Sequence, residues 1–367
     1  MKVLLVENTP LSVWRGVEQY VDNVARDLTS DGFRVGVLSR SQNLEEETAW
    51  RQNANLNYKY SFVNLPKFVY SIFPSTQTGR LSCLLDADVY YVTFLDPVFL
   101  SLLTSYGKPI VLGLHGITHL NGTILKMLEP LLRLQKGRLI IHTLNQAQTR
   151  VFAVRGYKVW HLPSAVPMRM LVQDIQANDE FVIWFPSMER YKGADRLIEL
   201  ATITSRKLPD VKYMVTGSGS MESELQRASS ALGNIIIRHM LTQEELVHLI
   251  SNANLFLTLS RSESFSRAAA EAQVNGLPTL ATPTDGLIDI MTDSTFGRVM
   301  KYDATRYFVS IQNYYSIWKE SPLRYLELKK RISGLQRARF SWGEMITQFE
   351  TGIERLAKRE NLTISGS

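Results

Sequence analysis

The sequence predicts an α/β protein made of two Rossmann-like domains, and three observations carry that expectation. Short apolar runs of strand length alternate with amphipathic stretches of helix length, as in a doubly wound parallel sheet. The alternation begins at Val3 and starts afresh at Phe181, after a stretch of weak periodicity over residues 166–180. The chain has 367 residues, 45% of them hydrophobic and 21% charged, which is enough for two cores of ordinary size.

In the first half, residues 3–6 read as a buried strand. An amphipathic helix follows over 17–28, after a turn at 14–16. Residues 33–38, 89–93 and 109–114 read as further strands. Another strand over 139–144 leads into a helix to about 155, and 159–162 is a short strand. In the second half, 181–185 is a strand, 194–207 a helix and 211–216 a strand closed by a Gly-Ser-Gly turn at 217–219. A helix over 221–232, a strand at 235–238 and a helix over 242–252 come next. The apolar run 253–259 is a strand that opens, through a polar turn, into an alanine-rich helix ended by Gly276-Leu277-Pro278. A short strand at 279–281 precedes a turn at Thr284-Asp285-Gly286. Near the C-terminus, Ser341-Trp342-Gly343-Glu344 reads as a cap followed by a helix, and 360–367 as a frayed end.

Composition narrows the class. No run approaches the length that spans a bilayer. The apolar start Met1–Val6 is too short for a signal-peptide core and runs into Glu7 and Asn8 rather than a cleavage site. Cys83 stands alone, which excludes an internal disulfide and a cysteine cluster for zinc, so a cytosolic location is the default. The net charge of +6 is unevenly placed: between Lys108 and Lys158 there are eight Lys or Arg residues and one acidic residue, Glu129. That block contains an apolar segment edged by cations, 124–134, interrupted by Pro130. It reads either as a core element with a solvated rim or as a peripheral contact with anionic lipid headgroups or a phosphate-bearing acceptor. No recognition-helix or RNP-like pattern accompanies the charge, so nucleic acid is not an expected partner.

Glu263 and Glu271 are the most informative residues. A strand, a short polar turn and a helix N-terminus make an anion site, because unpaired backbone N–H groups point outward there. One carboxylate precedes the helix and the other lies about eight residues on, roughly 12 Å by helical rise. A nucleotide sugar laid across this turn would offer its sugar hydroxyls to Glu263, its diphosphate to the helix N-terminus and its ribose hydroxyls to Glu271. The plainer reading of the same pair is a capping glutamate and a solvated one.

The surrounding residues carry a resemblance. The run from Glu263 to Pro278 resembles the donor-site segment of retaining GT-B glycosyltransferases of family 4, whose pattern is E-x-F-G-x-x-x-x-E-A-x-x-x-G-x-P. Glu263, Phe265, Glu271, Ala272, Gly276 and Pro278 match, and Ser266 stands in place of the usual glycine, which would narrow the loop. The segment 186–193 resembles the family's G-R-L-x-x-x-K-G, whose Arg and Lys hold the departing diphosphate. Lys192 and Gly193 match, whereas Ser187 occupies the arginine position, leaving Arg190 and Arg267 as candidate replacements for the missing cation. Gly217 and Gly219 resemble the family's G-x-G, which either lets backbone approach the nucleotide or merely turns the chain. Residues 14–18 resemble the G-G-x-E loop, with Gly16 as the contact glycine and Arg15 where the first glycine is usual. His115, ending a strand in Leu112-Gly113-Leu114-His115-Gly116, falls where the family has a histidine near the reacting sugar and the acceptor. Residues 162–166 stand where the family has I-P-N-G-V, with Ser164 and Ala165 departing from it. His119, four residues from His115, has metal-like spacing but no third ligand.

The resemblance implies a GT-B fold, two Rossmann-like domains facing a central cleft. The first is expected over 1–165, completed by a closing helix at about 340–358, and the nucleotide-sugar domain over 178–339. It implies a retaining hexosyltransferase that takes a nucleotide-diphosphate sugar as co-substrate, with no cofactor and no metal. The acceptor would be a glycan or a lipid-linked sugar at the inner membrane surface. The catalytic set would be Glu263, Lys192 and His115, and the donor-binding set Gly16, Arg190, Gly217, Ser264, Phe265, Ser266, Arg267 and Glu271. A catalytically silent GT-B subunit, for which Ser187 speaks, and a sugar-nucleotide epimerase of the same fold are the alternatives.

Overall fold

The computed structural model describes residues 1–13, 16–40, 43–63, 86–94, 100, 103–115, 129–130, 132–133, 137–239 and 241–358. The chain divides into two compact units, Met1–Pro163 with Gly343–Ser367, and Ser164–Trp342. The first unit runs β1 (Lys2–Glu7), α1 (Gly16–Ser30), β2 (Arg34–Arg40), α2 (Leu44–Asn53), β3 (Lys59–Val63), β4 (Val89–Val92), β5 (Ile110–Gly113), β6 (Leu139–Thr143), α3 (Gln146–Val154) and β7 (Lys158–His161). Its seven strands lie in the order β3-β2-β1-β4-β5-β6-β7, every pair parallel. Strands β4, β5 and β6 are buried along their whole length. A parallel strand covered on both faces needs apolar or paired side chains on both, which is why these runs read as continuous rather than alternating.

The second unit runs β8 (Phe181–Phe185), α4 (Ala194–Lys207), β9 (Val211–Thr216), α5 (Glu222–Leu232), β10 (Ile235–Arg238), α6 (Gln243–Asn252), β11 (Leu255–Thr258), α7 (Arg267–Val274), β12 (Thr279–Ala281), α8 (Asp285–Ile290), β13 (Gly297–Val299), α9 (Ala304–Glu320) and α10 (Pro322–Arg339). Its six strands lie in the order β10-β9-β8-β11-β12-β13, again all parallel. The final helix, α11 (Trp342–Ala357), belongs from Gly343 onward to the first unit. There Phe349 packs its ring 5.1 Å from Tyr91 and 5.4 Å from Trp160.

Several elements went beyond the sequence pattern. The turn expected at 284–286 is the start of α8: Thr284 is extended at φ −118°, and Gly286, Leu287 and Ile290 face inward. Helix α2 carries three glutamates in its first turn and no apolar stripe. It is held instead by Asn43, whose side chain accepts from the Glu46 amide at 3.2 Å, and by the buried Glu47, which takes the Ser12 and Tyr60 hydroxyls. Helix α10 is likewise polar along much of its length and docks by hydrogen bonds. Lys329 Nζ donates to the Ala253 carbonyl at 2.9 Å, while Ser333 Oγ and Arg337 Nε donate to the Val274 carbonyl at 2.6 and 2.9 Å. Val274 is the last residue of α7, whose terminal carbonyls lack intrahelical partners, so α10 closes the C-terminus of the helix that bears Glu271.

Among the described residues no helix is long and apolar enough to cross a membrane. Of the segment 124–134, only Glu129, Pro130, Leu132 and Arg133 are among them; the rest, with Arg15, Cys83, His119 and 360–367, lie outside the described residues.

Candidate functional site

In an open parallel sheet, ligands bind beyond the carboxyl ends of the strands where the strand order reverses. In the second unit that point lies between β8 and β11, and three loops converge on it. The loop after β8 makes a 3-10 turn at Arg190–Lys192 and ends at Gly193 with φ 91°. A Cβ on Gly193 would lie 2.4 Å from the Leu259 carbonyl oxygen, so only glycine lets this loop sit against the end of β11. The loop after β9 joins it: Gly217 turns the chain at φ 96°, the Met188 amide donates to Ser218 O at 3.4 Å, and Ser220 Oγ donates to Glu189 at 2.8 Å.

The third loop, after β11, supplies Glu263, which is 7% exposed. Lys192 Nζ lies 2.7 Å from Glu263 Oε1, and Ser260 Oγ donates to the same oxygen at 2.8 Å. Both bonds fall on Oε1. The Glu263 carbonyl accepts from the Gly286 amide at 3.1 Å, tying the loop to α8. A carboxylate this buried is tolerable because the ammonium and a hydroxyl replace its water; removing one partner from such a pair costs about 3–5 kcal/mol. Nearby, the Ser262 and Thr284 hydroxyls are buried without a hydrogen-bond partner among the described residues. No sequence motif marks them, because an unpaired hydroxyl is visible only in three dimensions.

Ser266 begins the turn into α7 at φ 70° and ψ 75°, a left-handed conformation. The position that the resemblance reserves for glycine therefore holds a strained serine, and the consequence of the departure is backbone strain rather than a narrower loop. Phe265 is buried edge-on to Phe340, with ring centroids 5.8 Å apart, so its side chain serves the core and its backbone alone faces the loop. Ser264 is buried beside it.

On α7, Arg267 lies 3.3 Å from Glu271 Oε1, four residues on. Burial pushes the Glu271 carboxyl above the usual carboxylate range, against the opposing pull of Arg267. Arg190 is 62% exposed and sits 3.8 Å from Asp195. The residue that grips Asp195 is Arg261, with two bonds of 3.0 and 2.7 Å, and it also donates to the Arg190 carbonyl. That bidentate pairing holds the Asp195 carboxyl below its ordinary value. Arg261 and Asp195 were not singled out from the sequence; the only signal was an acid in the first turn of α4 beside Lys192. Ser187, at the missing-arginine position, accepts from the Glu189 amide at 3.2 Å.

In the first unit, Gly16 is the exposed first residue of α1. His115 lies two residues beyond β5 and is buried, with Nε2 2.6 Å from Tyr91 Oη. Tyr91 Oη lies 2.6 Å from His142 Nδ1, and His142 Nε2 lies 2.7 Å from the Leu162 carbonyl. Burial lowers His142 to about 4. At the end of β1, Glu7 is 4% exposed, bonded by Thr93 and by the Asn8 and Thr9 amides, and burial raises its carboxyl to about 7. Among the described residues there is no group of three His, Cys, Asp or Glu that could hold a metal ion.

Two parallel α/β units of this topology make the GT-B fold. A solved structure sharing it is Anabaena Alr3699/HepE, crystallised with UDP and glucose, at a TM-score of 0.75 and 15% identity over 96% of this chain and 99% of that one. Within the second unit, residues 172–307 match the family model Glycosyl transferases group 1. Among curated relatives, the D-inositol 3-phosphate glycosyltransferase of Arthrobacter sp. (strain FB24) is 28% identical over 142 residues, 37% of this chain and only 34% of the relative. The chain thus spans about a third of the length of that relative. The GDP-mannose-dependent monoacylated alpha-(1-6)-phosphatidylinositol monomannoside mannosyltransferase of Corynebacterium glutamicum is 22% identical over 324 residues, 80% of this chain and 83% of the relative.

Two predictions follow from local geometry. Replacing Ser266 by glycine relieves the left-handed strain and should leave stability unchanged or raise it by up to about 1 kcal/mol, while Ser266→Val should cost about 1–2 kcal/mol. Urea melts of the two variants check this, and a valine variant as stable as wild type would remove the strain argument.

The second concerns Glu7. Its carboxyl rises from 4.5 to about 7 on folding, so the folded state holds the proton more tightly. The stability this contributes is complete below pH 4.5 and is lost as pH rises through 7, on the order of 3 kcal/mol at about 1.4 kcal/mol per unit. Glu7→Gln keeps the protonated shape and should gain stability relative to wild type between pH 5 and pH 8. Denaturant midpoints that keep a constant difference across that range would show that Glu7 does not titrate there.

Proposed function

We propose that this chain is a retaining glycosyltransferase that moves a sugar from a nucleotide-diphosphate donor to a glycan or lipid-linked acceptor. The observation that carries the proposal is the Lys192–Glu263 pair, 2.7 Å apart at the switch point of a unit matching Glycosyl transferases group 1. The names of the relatives support a nucleotide sugar as donor and, for the Corynebacterium glutamicum enzyme, a phosphatidylinositol-linked acceptor.

In this reading the second unit binds the donor. Backbone amides of the 264–267 turn and the Lys192 ammonium meet the diphosphate, Glu263 orients the sugar hydroxyls through Oε2, and Glu271 receives the ribose hydroxyls. Gly217 is a place where backbone approaches the donor, and the resemblance gives Gly16 a like role. The attack is on the face from which the diphosphate departs, so the leaving phosphate takes the acceptor proton and no separate carboxylate base is required. Charge builds on the diphosphate as the bond breaks, and a cation already fixed in place stabilises it without reorganising. Glu263 supplies that fixing: it holds Lys192 by an ion pair before any donor arrives. The resemblance gives His115, in the first unit, a role toward the reacting sugar or the acceptor. The nucleotide sugar is a co-substrate, and the chemistry needs neither a metal nor a resident cofactor. A peripheral contact with anionic membrane through the basic stretch 108–158, at the cytoplasmic face, would bring a lipid-linked acceptor within reach.

Ser187, which replaces a diphosphate-binding arginine, favours one second reading, a silent subunit of a partner enzyme. Screening UDP- and GDP-sugars by thermal shift identifies the donor, since a ligand of the native state raises the melting temperature. Release of nucleoside diphosphate by the purified protein then separates enzyme from silent subunit: donor binding with neither transfer nor hydrolysis overturns the transferase.

Lys192→Ala should lower kcat by about 100-fold or more with a smaller effect on donor affinity, because its charge is needed most as the diphosphate leaves. A kcat near wild type would remove Lys192 from leaving-group stabilisation. Glu271→Gln should weaken donor binding about 10-fold or more, since each charge-assisted bond to a ribose hydroxyl is worth about 1.5–3 kcal/mol. Calorimetry with the donor checks it, and an unchanged affinity excludes the ribose role.

A further inference from the structure

We infer that Arg261 is a positioning residue that holds the Arg190–Lys192 turn against the loop after β11 and so fixes where the Lys192 ammonium stands. The inference rests on the reading of Lys192 as the cation that meets the departing diphosphate, and goes beyond it by naming what places that cation. Every residue involved lies in the second unit.

One residue grips the chain on both sides of Lys192. Before it, Arg261 Nη1 donates to the Arg190 carbonyl, and the Arg261 amide donates to the Tyr191 carbonyl at 2.8 Å. After it, Arg261 Nη1 and Nη2 donate to the two carboxylate oxygens of Asp195, in the first turn of α4, at 3.0 and 2.7 Å. Among the described residues, the Arg190 and Tyr191 carbonyls accept no other hydrogen bond from outside their own turn. The remaining ties run elsewhere. The Arg190 amide donates to Ser220 Oγ at 3.4 Å and Ser220 Oγ donates to Glu189 at 2.8 Å, both toward the loop after β9. Arg196 Nη1 donates to the Leu259 carbonyl at 2.9 Å, which holds α4 rather than the turn. Without Arg261, the turn would be hydrogen-bonded to the loop after β11 only through the flexible Lys192 side chain itself.

The choice of arginine follows from its shape. A planar guanidinium bonded to a carboxylate on one edge and a carbonyl on the other fixes the two acceptors relative to each other, which a single rotatable ammonium does not. Here the two acceptors belong to residues 190 and 195, with Lys192 between them. The stretch Ser260–Glu263 therefore sets both ends of the lysine: Arg261 holds the backbone from which it springs, and Glu263, bonded by Ser260 Oγ at 2.8 Å, receives its Nζ at 2.7 Å. Arg261 does not serve as the diphosphate cation in this arrangement, because its charge is already matched by Asp195.

The test measures nucleoside-diphosphate release and backbone hydrogen exchange on the full chain, with the donor found by thermal shift. Arg261→Ala and Arg261→Lys should each lower kcat about 10-fold or more, with KM for the donor changed less than about threefold, as expected when a fixed charge is misplaced. Added to Lys192→Ala, the Arg261→Ala change should lower kcat no further, because both act through one ammonium. Asp195→Asn separates a clamp from a second diphosphate cation: it loosens the guanidinium, so kcat falls if Arg261 positions Lys192 and holds or rises if Arg261 binds diphosphate itself. Melting temperatures of the Arg261 variants should stay within about 4 °C of wild type, since a pair this exposed adds little to stability. Amides of residues 189–193 should exchange about 10-fold faster in Arg261→Ala, with those of β11 unchanged. A wild-type kcat in Arg261→Ala, a further loss in the Lys192→Ala background, or undiminished turnover in Asp195→Asn overturns the inference; Asp195→Asn decides where an Arg261 variant fails to fold. If wild type releases no nucleoside diphosphate, the transferase reading fails, while exchange at 189–193 still decides the clamp, and unchanged exchange there overturns it.

Discussion

The ion pair between Lys192 and Glu263 is the contact on which the geometry of the candidate site depends. Each residue belongs to a loop that leaves a different central strand, and Lys192 ends the short 3-10 turn of its loop. Held 2.7 Å apart, the two charges cancel where few waters reach, and the loops of β8 and β11 become one surface. Gly193 makes the approach sterically feasible, and Ser260 fixes which carboxylate oxygen is used. The cation is therefore held in place by a carboxylate of the protein itself.

Behind that surface, α7 is held as firmly at its far end as at its near one. Its N-terminus rises from the strained Ser266, and its C-terminal carbonyls are taken by Asn275, Ser333 and Arg337. A helix docked by hydrogen bonds to orphan carbonyls resists sliding along its axis more than one docked by apolar contact alone, because each bond has its own direction. Lys329, 2% exposed and bonded to the Ala253 carbonyl, shows the cost of this design: burial lowers its ammonium to about 8. The strain at Ser266 is tolerable because so much else determines where α7 lies.

The first unit concentrates its buried polar groups at the carboxyl ends of β1, β4, β5 and β6. Glu7 binds its proton more tightly on folding, and His142 less tightly. Their contributions to stability run in opposite directions over nearly the same interval: His142 disfavours folding as pH falls below 6.5 toward 4, whereas Glu7 disfavours it as pH rises from 4.5 through 7. Their slopes with pH oppose each other, so variants at each position separate the two contributions.

Sequence by itself determined the class of fold and the strands that build it. Parallel strands buried on both faces leave unbroken apolar runs, so β1, β8 and β11 were legible, and the spacing from Glu263 to Pro278 marked the loop after β11. The elements that escaped, α2, β3, α9 and α10 among them, carry no unbroken apolar run of strand length; the helices show only start signals such as Asn43, Asp303 and Ser321-Pro322. Helices α2 and α10 are held largely by polar side chains reaching carbonyls and hydroxyls far along the chain, and no local periodicity encodes such a partner. The same reason explains the candidate site. Glu263, Lys192 and His115 stood out by their motifs, but what each touches was decided only by the tertiary structure. Lys192 meets Glu263 across 71 residues of chain and Tyr91 meets His142 across 51. Those separations carry no sequence signal, because they are fixed by the order of strands in the sheet rather than by the order of residues.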